Sequence, residues 1–314
     1  MEELYVRQIL MGFPNPIVAY FMKLGTIECL DPGQLRLKYI LLTGEAISRF
    51  LGIVVLCECR EILEKEAGEL PSTLTSDFEK RFRAPTWGNW THFLREGLKW
   101  LHSLDAPLTM PELTSFYFKK IPAESSAANA LGELLTMRNH LSHDKIKAMH
   151  FRDFENLCGK SDPLLEEVLE SLHFLFDFKL AFVSQIKVNK RRRRLPSFEH
   201  RLSKLIGSSD AFPGDRQELE SSLDSSSILL MNTQSRRHLN LDPLLIYETS
   251  AGQAEDIFFY NGMKKPNVAE YSAYNHGGHF LSSDSRRAAD FSEELANFMA
   301  LFTSKPGAEA AHVR

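Results

Sequence analysis

The feature that most constrains the fold is the stretch from Leu35 to Ala67, in which Leu35, Ile40, Leu41, Ile47, Phe50, Leu51, Val54, Val55 and Ile62 recur at helical rather than alternating intervals. A helix of that length extends about 50 Å, and its apolar stripe must be buried against other elements. Pro32 and Gly33 mark its start, Gly68 and Pro71 its end. A second helical pattern runs from Trp87 to Leu104 and is closed by Pro107 and Pro111. A third, Ser125 to about Ser142, opens on an N-capping serine and carries Ala128, Leu131, Leu134, Leu135 and Leu141 on one face. A fourth starts at Pro163, a residue favoured in a first helical turn, and is expected to continue to Val183. From Leu172 to Val183 it is apolar on more than one face. One bundle core cannot absorb all of those side chains, which implies a second burial surface and hence a homodimer.

Beyond this region the pattern changes. Residues 187–204 hold eight Lys and Arg against the single acid Glu199, a local charge of +7 in a chain whose net charge is −4. Ser208 to Ser227 is rich in Ser, Asp and Gly and has the composition of a linker. Short strands are expected at Ile228–Met231, His238–Tyr247 around Pro243, Ile257–Tyr260 and Val268–Tyr274, with a turn at Asn261-Gly262 and another at His276-Gly277-Gly278-His279. An amphipathic helix, Ala288 to Phe302, closes the chain. The expected fold class is mainly α with a smaller α+β module: a four-helix up-down bundle followed by a small β-rich C-terminal domain. The expected segments are an N-terminal stretch 1–32, a helical bundle 33–188, a basic and Ser-rich linker 189–227, a β-rich module with its closing helix 228–304, and a tail 305–314.

Four cysteines, Cys29, Cys57, Cys59 and Cys158, show no zinc-site spacing, and Cys57 and Cys59 point to different faces of one helix. Neither a disulfide framework nor a metal is expected, and a reducing cytoplasm fits best. Met1 to Met11 carries Glu2, Glu3 and Arg7 and lacks the apolar core of a secretory signal. No uninterrupted apolar run reaches the ~18–20 residues that span a bilayer, so no membrane association is expected. Glycine-rich phosphate loops, nucleophile elbows and cofactor motifs are absent from the sequence, which argues against nucleotide hydrolysis and acyl transfer.

The chemistry-bearing candidate is Arg138-Asn139-His140-Leu141-Ser142-His143, in the last turns of the third helix. Metal-independent cleavage of RNA needs a base for the 2′-OH proton, an acid for the leaving 5′-oxygen, and a cation to hold charge on phosphorus. A histidine can serve either proton transfer near neutrality, and arginine is a fixed bidentate phosphate clamp. Asn139 precedes His143 by four residues and shares its helix face, where its amide can orient the imidazole. Arg138 and His143 are five apart, roughly 140° around an ideal helix, so they converge only if the helix ends between them or the arginine wraps. Spacing alone is weak evidence, because 20 Arg and 11 His in this chain give about two chance Arg-x4–6-His matches. Arg95/His102 and Arg193 or Arg194 with His200 are such decoys. Two copies of the motif facing each other across a dimer axis would supply two histidines and two arginines to one cleft.

A helical bundle whose late helix carries Arg-Asn-x3-His resembles the HEPN superfamily over about residues 33–188, with Arg138 and His143 matching its Arg-x4–6-His pair and Asn139 the polar position commonly adjacent. The resemblance implies a metal-independent endoribonuclease acting as a homodimer, leaving 2′,3′-cyclic phosphate and 5′-hydroxyl ends, of the kind used as toxins and in anti-phage defence. This chain departs from the pattern in having His140 inside the motif and Asp144 directly after His143.

His140 and Asp144 are candidate supporting groups, and Glu45 on the first long helix is a candidate acidic partner or proton relay. Each also has a bland role as a solvated or salt-bridged group. Lys190, Arg191, Arg192, Arg193 and Arg194 form a candidate RNA footprint through counterion release, though a solvated hinge is the favoured reading because no aromatic residue for base stacking interrupts them. His276 and His279 lack the acid or cysteine that a metal pair needs. The sequence also admits a non-catalytic helical dimer serving as an interaction or sensing module, with the C-terminal module binding a regulatory protein or small signal. A DNA-binding regulator fits least, for want of a recognition-helix pattern.

Overall fold

The computed structural model describes residues 1–65, 68–141, 146, 148–193, 195–208, 212, 214–219, 222–249, 255–265, 268–274, 278–285 and 288–303. It is a mixed α+β protein. Helix α1 (Glu3–Gly12) and helix α2 (Asn15–Phe21) precede the long α3 (Gln34–Glu64), the short α4 (Ser72–Thr75) and α5 (Phe78–Arg83), then α6 (Trp87–Ser103), α7 (Glu112–Tyr117), α8 (Ser126–His140) and α9 (Phe151–Ser171). A two-stranded ribbon, β1 (Phe118–Lys120) and β2 (Ala123–Glu124), leads into α8.

The helical periodicity of Leu35–Ala67 is realised in α3, which is nearly all core from Ala46 to Cys59. By length and composition α3 is apolar enough to cross a bilayer, with a mean hydropathy of 1.9 over its best window, but 89% of that window is buried inside the protein. Burying each large apolar side chain contributes roughly 1.5–3 kcal/mol, so the hydropathy of α3 is accounted for by its place at the centre.

Helices α3, α6, α8 and α9 pack together, though not in the expected up-down order. Ser48 of α3 accepts a hydrogen bond from Trp87 Nε1 at the start of α6 (2.8 Å), and further on Val55 and Cys59 flank Gly97 so closely that a Cβ there would collide with Val55. Positions on the two helices advance together, so α3 and α6 run in the same direction. The crossover through α4 and α5 makes this possible. Helix α9 also follows α3, with Cys158 beside Gly33 and Arg36 bridging to Asp162 (2.7 Å). Helix α8 alone opposes them, since Ser126 at its start donates to Glu167 near the end of α9 (2.6 Å).

A five-stranded antiparallel sheet follows, in the order β5 (Gly214–Leu219), β4 (Ser197–Lys204), β3 (Phe178–Asn189), β6 (Ile228–Asn232), β7 (His238–Asn240). A four-stranded sheet has the order β11 (His279–Leu281), β10 (Val268–Ala273), β9 (Glu255–Lys265), β8 (Leu245–Thr249), and α10 (Ala288–Thr303) packs on it through Phe291, near Tyr271.

Several expectations are corrected here. The helix expected from Pro163 to Val183 is instead α9, twelve residues earlier at its start, with Pro163 in its interior at an exposed position. Its first turn is secured by Asp153, whose carboxylate accepts the His150 N–H (2.8 Å). The apolar run after Leu172 forms a 3-10 turn and then β3, not helix. A strand covered on both faces is apolar throughout, and short runs of that kind have no diagnostic period. Phe178 and Leu180 face the main core while Ala181 and Val183 join Leu202, Leu223 and Leu229 in a second cluster. The second burial surface is therefore supplied by the chain itself, and the argument for a dimer from this run loses its premise.

The segments drawn at 33–188, 189–227 and 228–304 are joined by this sheet, because β3 pairs with β4 on one side and with β6 on the other. The expected linker contains β5 and the buried Leu223. His238–Tyr247 is split between β7 in one sheet and β8 in the other at the Asp242-Pro243 corner, where Arg60 of α3 donates to the carbonyls of Asp242 and Asn240. Asn261-Gly262 is not a turn but lies inside β9, at an irregularity in its pairing with β10. Gly262 takes φ +131°, and a Cβ there would sit 2.7 Å from the Arg83 carbonyl, so the glycine serves a bulge and a close approach. The N-terminal stretch is built in as well: Asn15 N–H donates to Leu205 O (3.0 Å) and its side chain to Gly207 O (2.9 Å).

Candidate functional site

Helix α8 is started by Ser125, whose hydroxyl accepts the Ala128 N–H at 3.1 Å, and is anchored by Ala127, Ala128, Ala130, Leu131 and Leu134. It ends at His140. Leu141 caps it with its N–H on Arg138 O at 3.2 Å and leaves helical geometry at φ −92°, ψ 87°. The helix therefore terminates between Arg138 and His143, the condition that geometry sets for their convergence. His143 and Asp144 themselves lie outside the described residues.

Arg138, Asn139 and His140 are all exposed, and Arg138 Nη1 lies 3.5 Å from Asn139 Oδ1. Among the described residues Arg138 has no acidic partner. The Arg138 charge in the last turn also complements the helix dipole, a role that requires no ligand. Phe151, 64% exposed at the start of α9, belongs to the same end of the antiparallel α8–α9 pair. Sequence reasoning did not single it out, because a lone apolar residue before a charged helix carries no signal.

Glu45 takes the salt-bridged role. Its Oε1 accepts from Arg49 Nη2 at 2.9 Å, and both line a cavity of about 250 Å3 together with Tyr20, Phe259, Ser272 and His279. Arg138, Asn139 and His140 are not among that cavity's walls. Arg49 was missed. Its signal was a cation inside the buried run Ala46-Ile47-Ser48-Arg49-Phe50-Leu51.

The basic residues cap a hairpin rather than a hinge. The β3–β4 ladder closes at Asn189–Ser197, and Lys190, Arg191, Arg192 and Arg193 stand exposed at its tip beside Leu195, 91% exposed. Arg194 lies outside the described residues. No ion pair among the described residues neutralises the four cations.

The decoy pairs are resolved by their surroundings. His200 is fully buried, with Nδ1 3.1 Å from Phe198 O and Nε2 accepting the Leu223 N–H at 3.1 Å, so it is a structural histidine of the second cluster. Arg95 is bound to Glu96 at 2.8 Å. Cys29, Cys57, Cys59 and Cys158 are free buried thiols, and burial pushes Cys57 up to about 12, which keeps it neutral and unreactive. Among the described residues no group of three or more His, Cys, Asp or Glu could hold a metal ion.

Fold and site define a mixed α+β protein with an exposed Arg-Asn pair at a helix end and a basic hairpin. No protein-family model matches the chain, and no curated protein or solved structure gives a match.

Proposed function

We propose that this protein is a metal-independent endoribonuclease of HEPN-like organisation, a toxin-type or antiviral effector of the cytoplasm that acts on RNA as a homodimer. The observation that carries the reading is the end of α8 at His140, between Arg138 and His143, with Arg138 exposed and free of any acid among the described residues. In this reading Arg138 holds the nonbridging phosphate oxygens and Asn139 orients the imidazole. His143 takes the 2′-OH proton; the 2′-oxygen attacks phosphorus, the bond to the 5′-oxygen breaks, and a second histidine from the partner copy protonates the leaving oxygen. His140 and Asp144 tune protonation at the cleft.

The exposed tip Lys190–Arg193 supports the reading as a phosphate-binding arm. Its chemistry is nonspecific, in keeping with an enzyme whose sequence choice is made elsewhere. The free thiols fit a reducing compartment.

The test is end-group analysis of RNA incubated with the purified protein in excess chelator. The expected products carry 2′,3′-cyclic phosphate and 5′-hydroxyl ends; 3′-hydroxyl and 5′-phosphate ends, or cleavage that the chelator abolishes, would contradict the proposal.

A further inference from the structure

A guanidinium carries five N–H donors and a permanent charge, so burying one creates a demand for acceptors. Arg49 is 8% exposed, and one of its donors, Nη2, is taken by Glu45. Its guanidinium lies 3.8 Å over the Phe259 ring, a cation–π contact that holds it in place. Its Nε is buried, and the buried Tyr274 hydroxyl lies against the guanidinium. The group borders the 250 Å3 cavity between α2, α3 and the four-stranded sheet. The α3 wall carries the charged pair Glu45 and Arg49, Tyr20 of α2 and Phe259 of β9 supply aromatic faces, and β10 and β11 add a polar side, where Ser272 Oγ and His279 Nδ1 lie 3.2 Å apart.

We infer that this cavity is a binding site for the guanine base of a mononucleotide. The edge it presents is a donor fork, Arg49, directly beside a carboxylate acceptor, Glu45, on one face of α3. That edge calls for a flat ligand with an acceptor immediately next to N–H donors. Guanine offers O6 and N7 to arginine, and its N1–H and N2–H2, adjoining O6, face the two carboxylate oxygens. Adenine puts an amino group where Arg49 also donates and a bare ring nitrogen where Glu45 also accepts, so it mispairs at both positions. Uracil matches with O4 and N3–H but lacks the second donor and the N7 acceptor. The cavity holds about one base, which leaves sugar and phosphate at the exposed His279. None of this depends on the ribonuclease reading, because none of the described residues of the motif on α8 lines the cavity.

The experiment is calorimetric titration of the full-length protein with GMP, UMP and AMP. Saturable GMP binding at one site per chain, at least about tenfold tighter than AMP and with UMP between them, is the expected result. Glu45→Gln keeps the side-chain volume and should weaken GMP by about tenfold, and His279→Ala should weaken GMP more than guanosine. Thermal unfolding checks that both variants fold; if Glu45→Gln does not, the ranking of the three nucleotides on the native protein decides alone. Equal affinity for AMP and GMP, no GMP binding at millimolar concentration, or undiminished GMP binding by folded Glu45→Gln would overturn the inference.

Discussion

The backbone N–H of Leu141 closes on the carbonyl of Arg138 at 3.2 Å, and this bond ends α8 before the chain reaches His143. Arg138 and Asn139 are thereby left on an exposed helix end, side by side, without a packing role. Replacing Asn139 by Ala should leave stability within about 0.5 kcal/mol of the parent while lowering the rate of RNA cleavage by roughly tenfold or more. Denaturation midpoints and initial rates on the same preparation check both halves; a variant with full activity would remove Asn139 from the site.

The hairpin tip makes a separate prediction about ionic strength. If Lys190, Arg191, Arg192 and Arg193 each meet a phosphate of single-stranded RNA, changing all four to Ser should flatten the slope of log affinity against log salt by up to about 3. Binding titrations at several salt concentrations measure it. An unchanged slope would mean that the tip is merely solvated.

Stability should carry the mark of Glu58. Its carboxylate is buried in α3 and accepts the Thr109 N–H at 2.7 Å, and burial pushes its pKa from the usual range up to about 7, outweighing the stabilising backbone bonds. A carboxyl whose folded pKa is raised binds its proton more tightly when folded. Its contribution is therefore complete below pH 4.5 and is lost as pH rises from 4.5 to about 7, a change of up to about 3 kcal/mol. Glu58→Gln keeps the acceptor and has no charge to desolvate. The stability of that variant relative to the parent should rise between pH 5 and pH 8 in urea denaturation and then level off; a constant difference would show that Glu58 ionises freely in the folded protein.

His200 should behave as a core residue despite its place in a basic sequence. His200→Ala leaves the Leu223 N–H without its acceptor and opens space in the second cluster, at a cost of about 2–3 kcal/mol. His102→Ala, at an exposed position, should cost under about 0.5 kcal/mol. Chemical denaturation of the two variants distinguishes them.

The helices with one buried face were legible before any coordinates: α3, α6, α8 and α10 begin and end within about three residues of where periodicity and caps place them. What escaped were elements whose pattern is set by tertiary surroundings. Phe178–Val183 is apolar on both sides because β3 is a central strand, and nothing local distinguishes that from an over-apolar helix. Asn261-Gly262 has turn chemistry, yet β9 uses Gly262 to pass the Arg83 carbonyl. The directions of α3 and α6 depend on the path of the chain through α4 and α5, which no periodicity encodes. At the candidate site, the sequence placed the motif in the last turns of α8 but left open whether the helix stops before His143 or the arginine wraps. The i, i+4 spacing of Glu45 and Arg49 is local, but the seat of the Arg49 guanidinium over Phe259, more than two hundred residues away, was not readable.

The most direct test of the central claim is the rate of chelator-insensitive RNA cleavage by the parent protein and by Arg138→Ala and His143→Ala, each shown to be folded. Losing a general acid/base or the phosphate clamp should lower that rate by about 10²–10⁴-fold in both variants. Cleavage at the parent rate by either folded variant, with the same product ends, would contradict the assignment of this helix end as the active site.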